Sequence, residues 1–244
     1  MKGAPLVLVQ GLFLSSGRRS SQRISSAFAA RSESIAQHRD GNGLLGYEQI
    51  GGLDKAVANL LLRRVRGTAP AVDAVELFEI DEQVLQRALA RQAGRSAWQQ
   101  MAGCAGHGFD VERSFVLIGK ERLLVDGPLA GQRVLWFGRG LEQLSEDEFA
   151  AHYTGHHGPL VAGNAAVLGI RSYRQVANDR DDLCNPLREV GLGQARPPAV
   201  FAELTMVTPP FDLASLRARR RATRDIKADE KRHIDFGHSM LLLV

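Results

Sequence analysis

The chain has 244 residues, 44% of them hydrophobic and 24% charged, with a net charge of +4. That suffices for one large core or two cores of about 100 residues each, and no run reaches the roughly 20 apolar residues of a membrane-spanning helix. The basic runs Arg63-Arg64-Val65-Arg66 and Arg217, Arg219-Arg220-Arg221 and Arg224 lack the interleaved aromatics of a nucleic-acid surface. They read as solvated helix faces, from which one arginine can reach an acidic substrate.

Pro5 to Leu14 is apolar but broken by Gln10-Gly11, and no small-x-small cleavage site follows Lys2 and this run. It is expected to be a first buried strand, Leu6 to Leu14, rather than a leader, and the protein to be cytoplasmic. Ser20 to His38 reads as a helix stopped by Gly41-Asn42-Gly43, residue types that tolerate the left-handed conformation at helix ends. Leu45 to Ile50 alternates as a strand and Val72 to Ile80 is a third. Asp81 to about Gln100 is helical, with Val84, Leu85, Leu89 and Ala90 at helical spacing. A fourth strand lies within Phe115 to Val125. Cys104 and Cys184 are far apart, in no metal or disulfide motif, and read as ordinary thiols.

After the turn-rich Asp126-Gly127-Pro128-Leu129-Ala130-Gly131 the same order begins again. Val134 to Phe137 is a strand, Ser145 to His157 a helix, and Ile170 to Val176 and Val200 to Val207 are strands. Asp212 to about Lys227 is a helix and Met240 to Val244 the last strand. Local matches recur in order: Phe28-Ala29-Ala30 with Phe149-Ala150-Ala151, Tyr47-Glu48-Gln49-Ile50 with Tyr173-Arg174-Gln175-Val176, and Phe109-Asp110 with Ile234-Asp235. The chain is therefore read as an α+β protein of two tandem ferredoxin-like βαββαβ units, spanning 1–126 and 133–244. The apolar sheet faces are expected to pack on each other as an α+β barrel. Pairing within one chain permits a monomer, and a homodimer through exposed helices stays open.

The chemistry concentrates in Ser145 to Val161. Ser145 with Glu148 forms a capping box that specifies the helix start, and Pro159 is expected to end or kink the helix after His157. His152 and His156 are four residues apart, as are Tyr153 and His157, so each pair shares a face. Imidazole and phenol exchange protons, imidazole near neutral pH. Zinc is disfavoured, because Tyr153 stands where a metalloprotease helix has glutamate and no third ligand is evident.

The run Phe149-x-x-His152-Tyr153-x-x-x-His157-Gly158-Pro159-Leu160-Val161, followed by Tyr173, resembles the signature of EthD-domain proteins of the dimeric α+β-barrel superfamily. Asp229-Glu230 and Ile234-Asp235 are similar to that domain's acidic stretch before its last strand, and the resemblance spans roughly residues 133–244. It implies His152, His157 and Asp235 as catalytic residues. Tyr153, Tyr173, His233, the additional His156 and Trp136 are expected to bind substrate. In the first half Arg31, Ser32, Ile35 and Ala36 occupy the matching positions of His152, Tyr153, His156 and His157, so that half is expected to be structural, with Asp110 a structural counterpart of Asp235.

No Gly-rich dinucleotide or phosphate loop has the required strand–loop–helix context, Gly191-Leu192-Gly193 included. The expected function is a cofactor-independent lyase or isomerase acting on a small aromatic or carbonyl-bearing compound, with no metal, nucleic-acid or membrane partner. A cofactor-free oxygenase on a phenolic or polyketide-like compound and a non-catalytic ligand-binding module are the alternatives.

Overall fold

The computed structural model describes residues 5–15, 20–51, 55–208 and 213–244, with the backbone only at 213–214. In chain order β1 (Leu6–Leu12) leads to α1 (Ser21–His38), β2 (Leu44–Gly51) and α2 (Ala56–Arg66). Next come β3 (Ala74–Ile80), α3 (Glu82–Leu89), α4 (Gln92–Ala102) and β4 (Phe115–Val125). The later part begins with β5 (Gln132–Gly138) and α5 (Glu146–His152). A π-helical turn, Tyr153–His157, joins α5 to α6 (Gly158–Gly163) and α7 (Ala165–Leu168). Then follow β6 (Ile170–Ala177), α8 (Asp181–Glu189), β7 (Val200–Met206), α9 (Leu213–His233) and β8 (Met240–Leu243). The expected helix start at Asp212 lies outside the described residues. No helix among the described residues is long and apolar enough to cross a membrane.

The chain forms two compact units. The first comprises Met1–Ala56, Val72–Lys120 and Asn178–Pro197, and the second Val57–Ala71, Glu121–Ala177 and Pro198–Val244. In the first unit β1 pairs antiparallel with both β3 and β4, and β2 flanks β3. In the second, β5 pairs antiparallel with β7 and β8, and β6 flanks β7. Each order is the ferredoxin-like one that βαββαβ connectivity produces.

The first unit is built on Leu6, Leu8, Phe78, Ile80, Trp98 and Ile118, all fully buried. Its expected single helix over Asp81 to Gln100 is two helices. Arg91 is extended, and α4 folds back so closely that a Cβ at Gly94 would lie 2.1 Å from the Ala88 carbonyl oxygen. Only a residue without a side chain allows that approach. Helix α8, with Pro186 inside it, was not foreseen. Its Leu183, Cys184 and Leu187 complete the first unit's core, so tertiary burial overrides its weak local propensity. Both thiols are free and buried, and burial pushes each up to about 11.

Beneath α1 the first unit holds a polar cluster where an apolar core is usual. Arg31 and Glu76 are both fully buried and form an ion pair of 2.5 Å. Arg31 also donates to the Gln10 side chain at 2.7 Å and to the carbonyls of Ala102 and Gly103 at 2.9 and 3.2 Å. Glu76 accepts from the Tyr47 hydroxyl and the Gln49 amide. The expected loss of the histidine set from this half thus has a physical counterpart: a closed salt bridge holds Arg31, the residue that aligns with His152.

The second unit's core combines Trp136, Phe149, Tyr153, Tyr173, Val200, Ala202 and Leu241, and Leu62 of α2 packs against it. Polar contacts also attach α2 to this unit. The Asn59 side chain brackets the Leu243 backbone at 3.2 and 2.6 Å, and Arg66 makes two bonds of 3.2 Å to Glu230.

Candidate active site

The site begins with the helix that carries the histidines. Ser145 accepts from the Glu148 N–H at 3.1 Å while Glu148 accepts from the Ser145 N–H at 2.9 Å, the expected capping box. Pro159 does not end the helix. The chain widens into the π-helical turn and continues as α6 with Pro159 in its first turn. A π-turn bonds residues five apart, as the Gly158 N–H does to the Tyr153 carbonyl. Proline, with no N–H to place, is then tolerated at the start of the following segment. Gly158 lies against the Gln175 amide: a Cβ there would fall 2.7 Å from it, so any larger residue would have to displace that side chain.

The π-turn also decides which histidines meet. On a regular α-helix, residues five apart point about 140° away from each other, at 3.6 residues per turn. The wider turn brings His152 and His157 to one carboxylate. His157 Nδ1 lies 2.8 Å from Asp229 Oδ2 and His152 Nε2 lies 2.9 Å from Asp229 Oδ1. His157 is buried, and its Nδ1 donates to the carboxylate, which leaves Nε2 as the basic nitrogen.

His233, one turn after Asp229 on α9, stacks on His152 with ring centroids 3.4 Å apart and 14° between planes. His156 is the outermost member, 64% exposed and 3.6 Å from Asp229 Oδ1. His152, Asp229 and His233 have ligand atoms close enough to suggest a metal. Imidazole lone pairs lie in the ring plane, however, so two stacked, nearly parallel rings direct them side by side and not to one point. This arrangement does not fit a shared ion.

The cavity beside this cluster has a volume of about 230 Å³. Trp136, Tyr153, His157 and Tyr173 line its buried part, with Val134, Val161, Leu168, Leu204, Ile226 and Leu241 among the apolar walls. Tyr153 and Tyr173 both line the cavity, and Gln175 Nε2 donates to Tyr173 Oη at 2.5 Å. Burial pushes both phenols well above their ordinary value of 10.0. They are therefore hydroxyl donors at neutral pH.

Asp235 stands apart. Its carboxylate accepts from the His238 backbone N–H at 3.2 Å and pairs with the exposed His238 ring at 2.7 Å, and it does not line the cavity. Asp110 caps the Glu112 and Arg113 N–H groups in the same manner in the first unit. Asp235 is therefore a turn residue, and the carboxylate that orients histidines is Asp229. The residues missed by sequence reading are Asp229 as the histidine partner and Arg66, Lys227 and Glu230 in the lining. For Lys227, Asp229 and Glu230 the signal was spacing on α9. Ile226, Glu230 and Ile234 face the cavity, and Asp229 and His233 lie on the adjoining face.

The cluster's protonation sets its pH response. Burial lowers the His152 ring below its ordinary 6.5, aided by His233 and His156 and opposed by Asp229. Burial acts to raise Asp229, but its bonds and charge pairing with His157 and His152 prevail and hold it below 3.8. For both groups the folded state binds protons less readily than the unfolded chain, so acidification costs stability. The His152 contribution is lost as pH falls from about 6.5 toward its lower folded value; that of Asp229 is lost below 3.8. Melting temperature is therefore expected to begin falling near pH 6.5, and His152→Gln to flatten that first decline. A wild-type curve level down to pH 5 would contradict this.

The fold and the site together define a ferredoxin-like α+β unit with a largely apolar cavity beside a histidine–carboxylate cluster. Residues 141–237 match the EthD domain family. No curated protein matches the chain. A solved structure from Lactobacillus acidophilus NCFM, described as a proposed monooxygenase, is 8% identical with a TM-score of 0.43. That match covers 99% of this chain and 93% of the other. A structure described as a proposed chlorite dismutase is 13% identical with a TM-score of 0.45, over 99% and 95% of the two chains. At these identities neither informs the chemistry.

Proposed function

We propose that the cavity is the active site of a cofactor-independent acid/base enzyme of the lyase or isomerase type. The observation that carries this reading is the buried His157–Asp229 pair opening on an apolar cavity. His157 Nε2 removes a proton next to a carbonyl or hydroxyl. Asp229 keeps the other ring proton on Nδ1 and stabilises the imidazolium that forms. The neutral Tyr153 hydroxyl donates to the oxygen on which charge develops, and the imidazolium returns the proton to carbon or to a leaving hydroxide. Dehydration, decarboxylation, cyclisation and isomerisation all fall within this scheme.

Size restricts the substrate. Benzene fills an apolar cavity of about 150 Å³, so about 230 Å³ suits a substituted single ring or a compact carbonyl compound. The test is a screen of such compounds without added cofactor, following binding and turnover in wild type and His157→Ala. Turnover lost in the variant with binding kept supports the reading. Equal turnover in both proteins, or binding with no turnover in either, overturns it, and oxygen uptake during turnover points to an oxygenase instead.

A further inference from the structure

Resting on that reading of the cavity, we infer that its substrate is an anion, a small carboxylate or phenolate, whose charged group is held by Lys227 at the rim. The charged and polar groups of the lining divide by exposure. His157, Tyr153 and Tyr173 are buried, as is Glu230, whose charge is met by Arg66; Lys227 and Thr223 are exposed, and Arg66 is 32% exposed at its side chain. The chemistry therefore lies inside and the charge at the mouth.

The rim charges do not cancel. Arg66 and Glu230 neutralise each other through their two-bond pair. Lys227 also lines the cavity, has no acidic side chain within ion-pair distance among the described residues, and leaves one cation in surplus there. A neutral ligand would gain nothing from it and a cationic one would be repelled. An anion with an apolar body satisfies both parts of the lining, since a charge-assisted hydrogen bond is stronger than a neutral one.

A second observation points the same way. Thr223 and Lys227 also belong to a groove along α9 lined by Arg219, Arg220, Arg224 and Lys231. Asp225 lies 3.2 Å from Arg224 and offsets part of this row. A predominantly basic row beside a low-dielectric cavity concentrates counter-ions at its mouth and raises their association rate. The cavity's volume excludes a polymer, so the anion it admits is a small molecule.

Matched pairs test this: salicylate against salicylamide, and phenylacetate against phenylacetamide, titrated calorimetrically at low salt. The acid of at least one pair is expected to bind about tenfold more tightly than its amide. Lys227→Met should remove that advantage without changing amide binding, and Lys227→Arg should retain it. Equal binding of acid and amide, an advantage that survives Lys227→Met, or no binding by any of the four overturns the inference. The acid/base reading is judged separately, because His157→Ala should abolish turnover and leave the acid-over-amide preference in place.

Discussion

Asp229→Asn is expected to lower turnover by about 10²- to 10⁴-fold, the range a positioned acid/base group contributes, while ligand binding stays near wild type. Asp229 is outside the cavity lining, so the substitution alters the base without altering the walls. The carboxylate accepts from two rings at once, His157 on one oxygen and His152 on the other. An asparagine of the same shape has one accepting oxygen and one donating NH₂. One ring must then turn an unprotonated nitrogen toward the amide or lose its bond, and nothing fixes the proton on His157 Nδ1.

The charge matters as much as the geometry. The Asp229 carboxylate works against the burial that depresses His152; without it, the ring's affinity for protons falls further, and the imidazolium formed at His157 loses its counter-charge. Turnover and ligand binding, measured for wild type and Asp229→Asn, separate the two effects. A fall in turnover with unchanged binding assigns Asp229 to positioning the base. Turnover within about twofold of wild type would remove the dyad from the mechanism, and loss of binding would mean the variant had disturbed the cavity. Resonances of the His157 Nδ1 proton give an independent readout, since a merely structural carboxylate would not be needed to hold that proton in slow exchange.

The parts of this site that were legible in the sequence are those specified locally. The capping box at Ser145 and Glu148 is a three-residue interaction, so it could be read directly, and it set the phase of the histidine-bearing helix. Tyr153, Tyr173 and Trp136 were expected at the ligand and do line the cavity. The pairing of His152 with His157 was suggested by the resemblance to EthD proteins but not by helical spacing, which joined His152 to His156. The π-turn that unites residues five apart depends on packing around Gly158 and Gln175, a contact between distant segments. Asp235, and not Asp229, was carried over from the resemblance, and its capping of His238 becomes visible only once the turn is formed. Helix α2 was the least legible element. Its arginines suggested a solvated face, yet Arg66 binds Glu230 at the cavity because the chain returns this segment to the second unit.

The first unit makes the opposite use of the same scaffold, and Glu76→Gln should expose it. Removing one partner of a buried ion pair costs about 3–5 kcal/mol, since the remaining charge stays desolvated. Arg31 would keep its bonds to Gln10 and to the carbonyls of Ala102 and Gly103, but these carry no compensating charge. The loss is expected in urea unfolding followed by Trp98, fully buried in the first unit, in a Trp136→Phe background that silences the other indole. An Arg31→Leu/Glu76→Leu double variant should recover part of the stability, because no charge is orphaned. Recovery stays incomplete: the Tyr47 hydroxyl and Gln49 amide lose Glu76 as acceptor, at about 1–3 kcal/mol for each donor left unsatisfied. A single variant within about 1 kcal/mol of wild type would mean that water reaches the pair, and the cluster would then be a solvated remnant of a pocket. A large loss with partial recovery instead makes the arginine the physical reason that the position matching His152 holds no proton-exchanging group. A permanently charged, fully paired guanidinium cannot exchange protons near neutral pH, and its salt bridge sits beneath the helix that in the second unit carries His152.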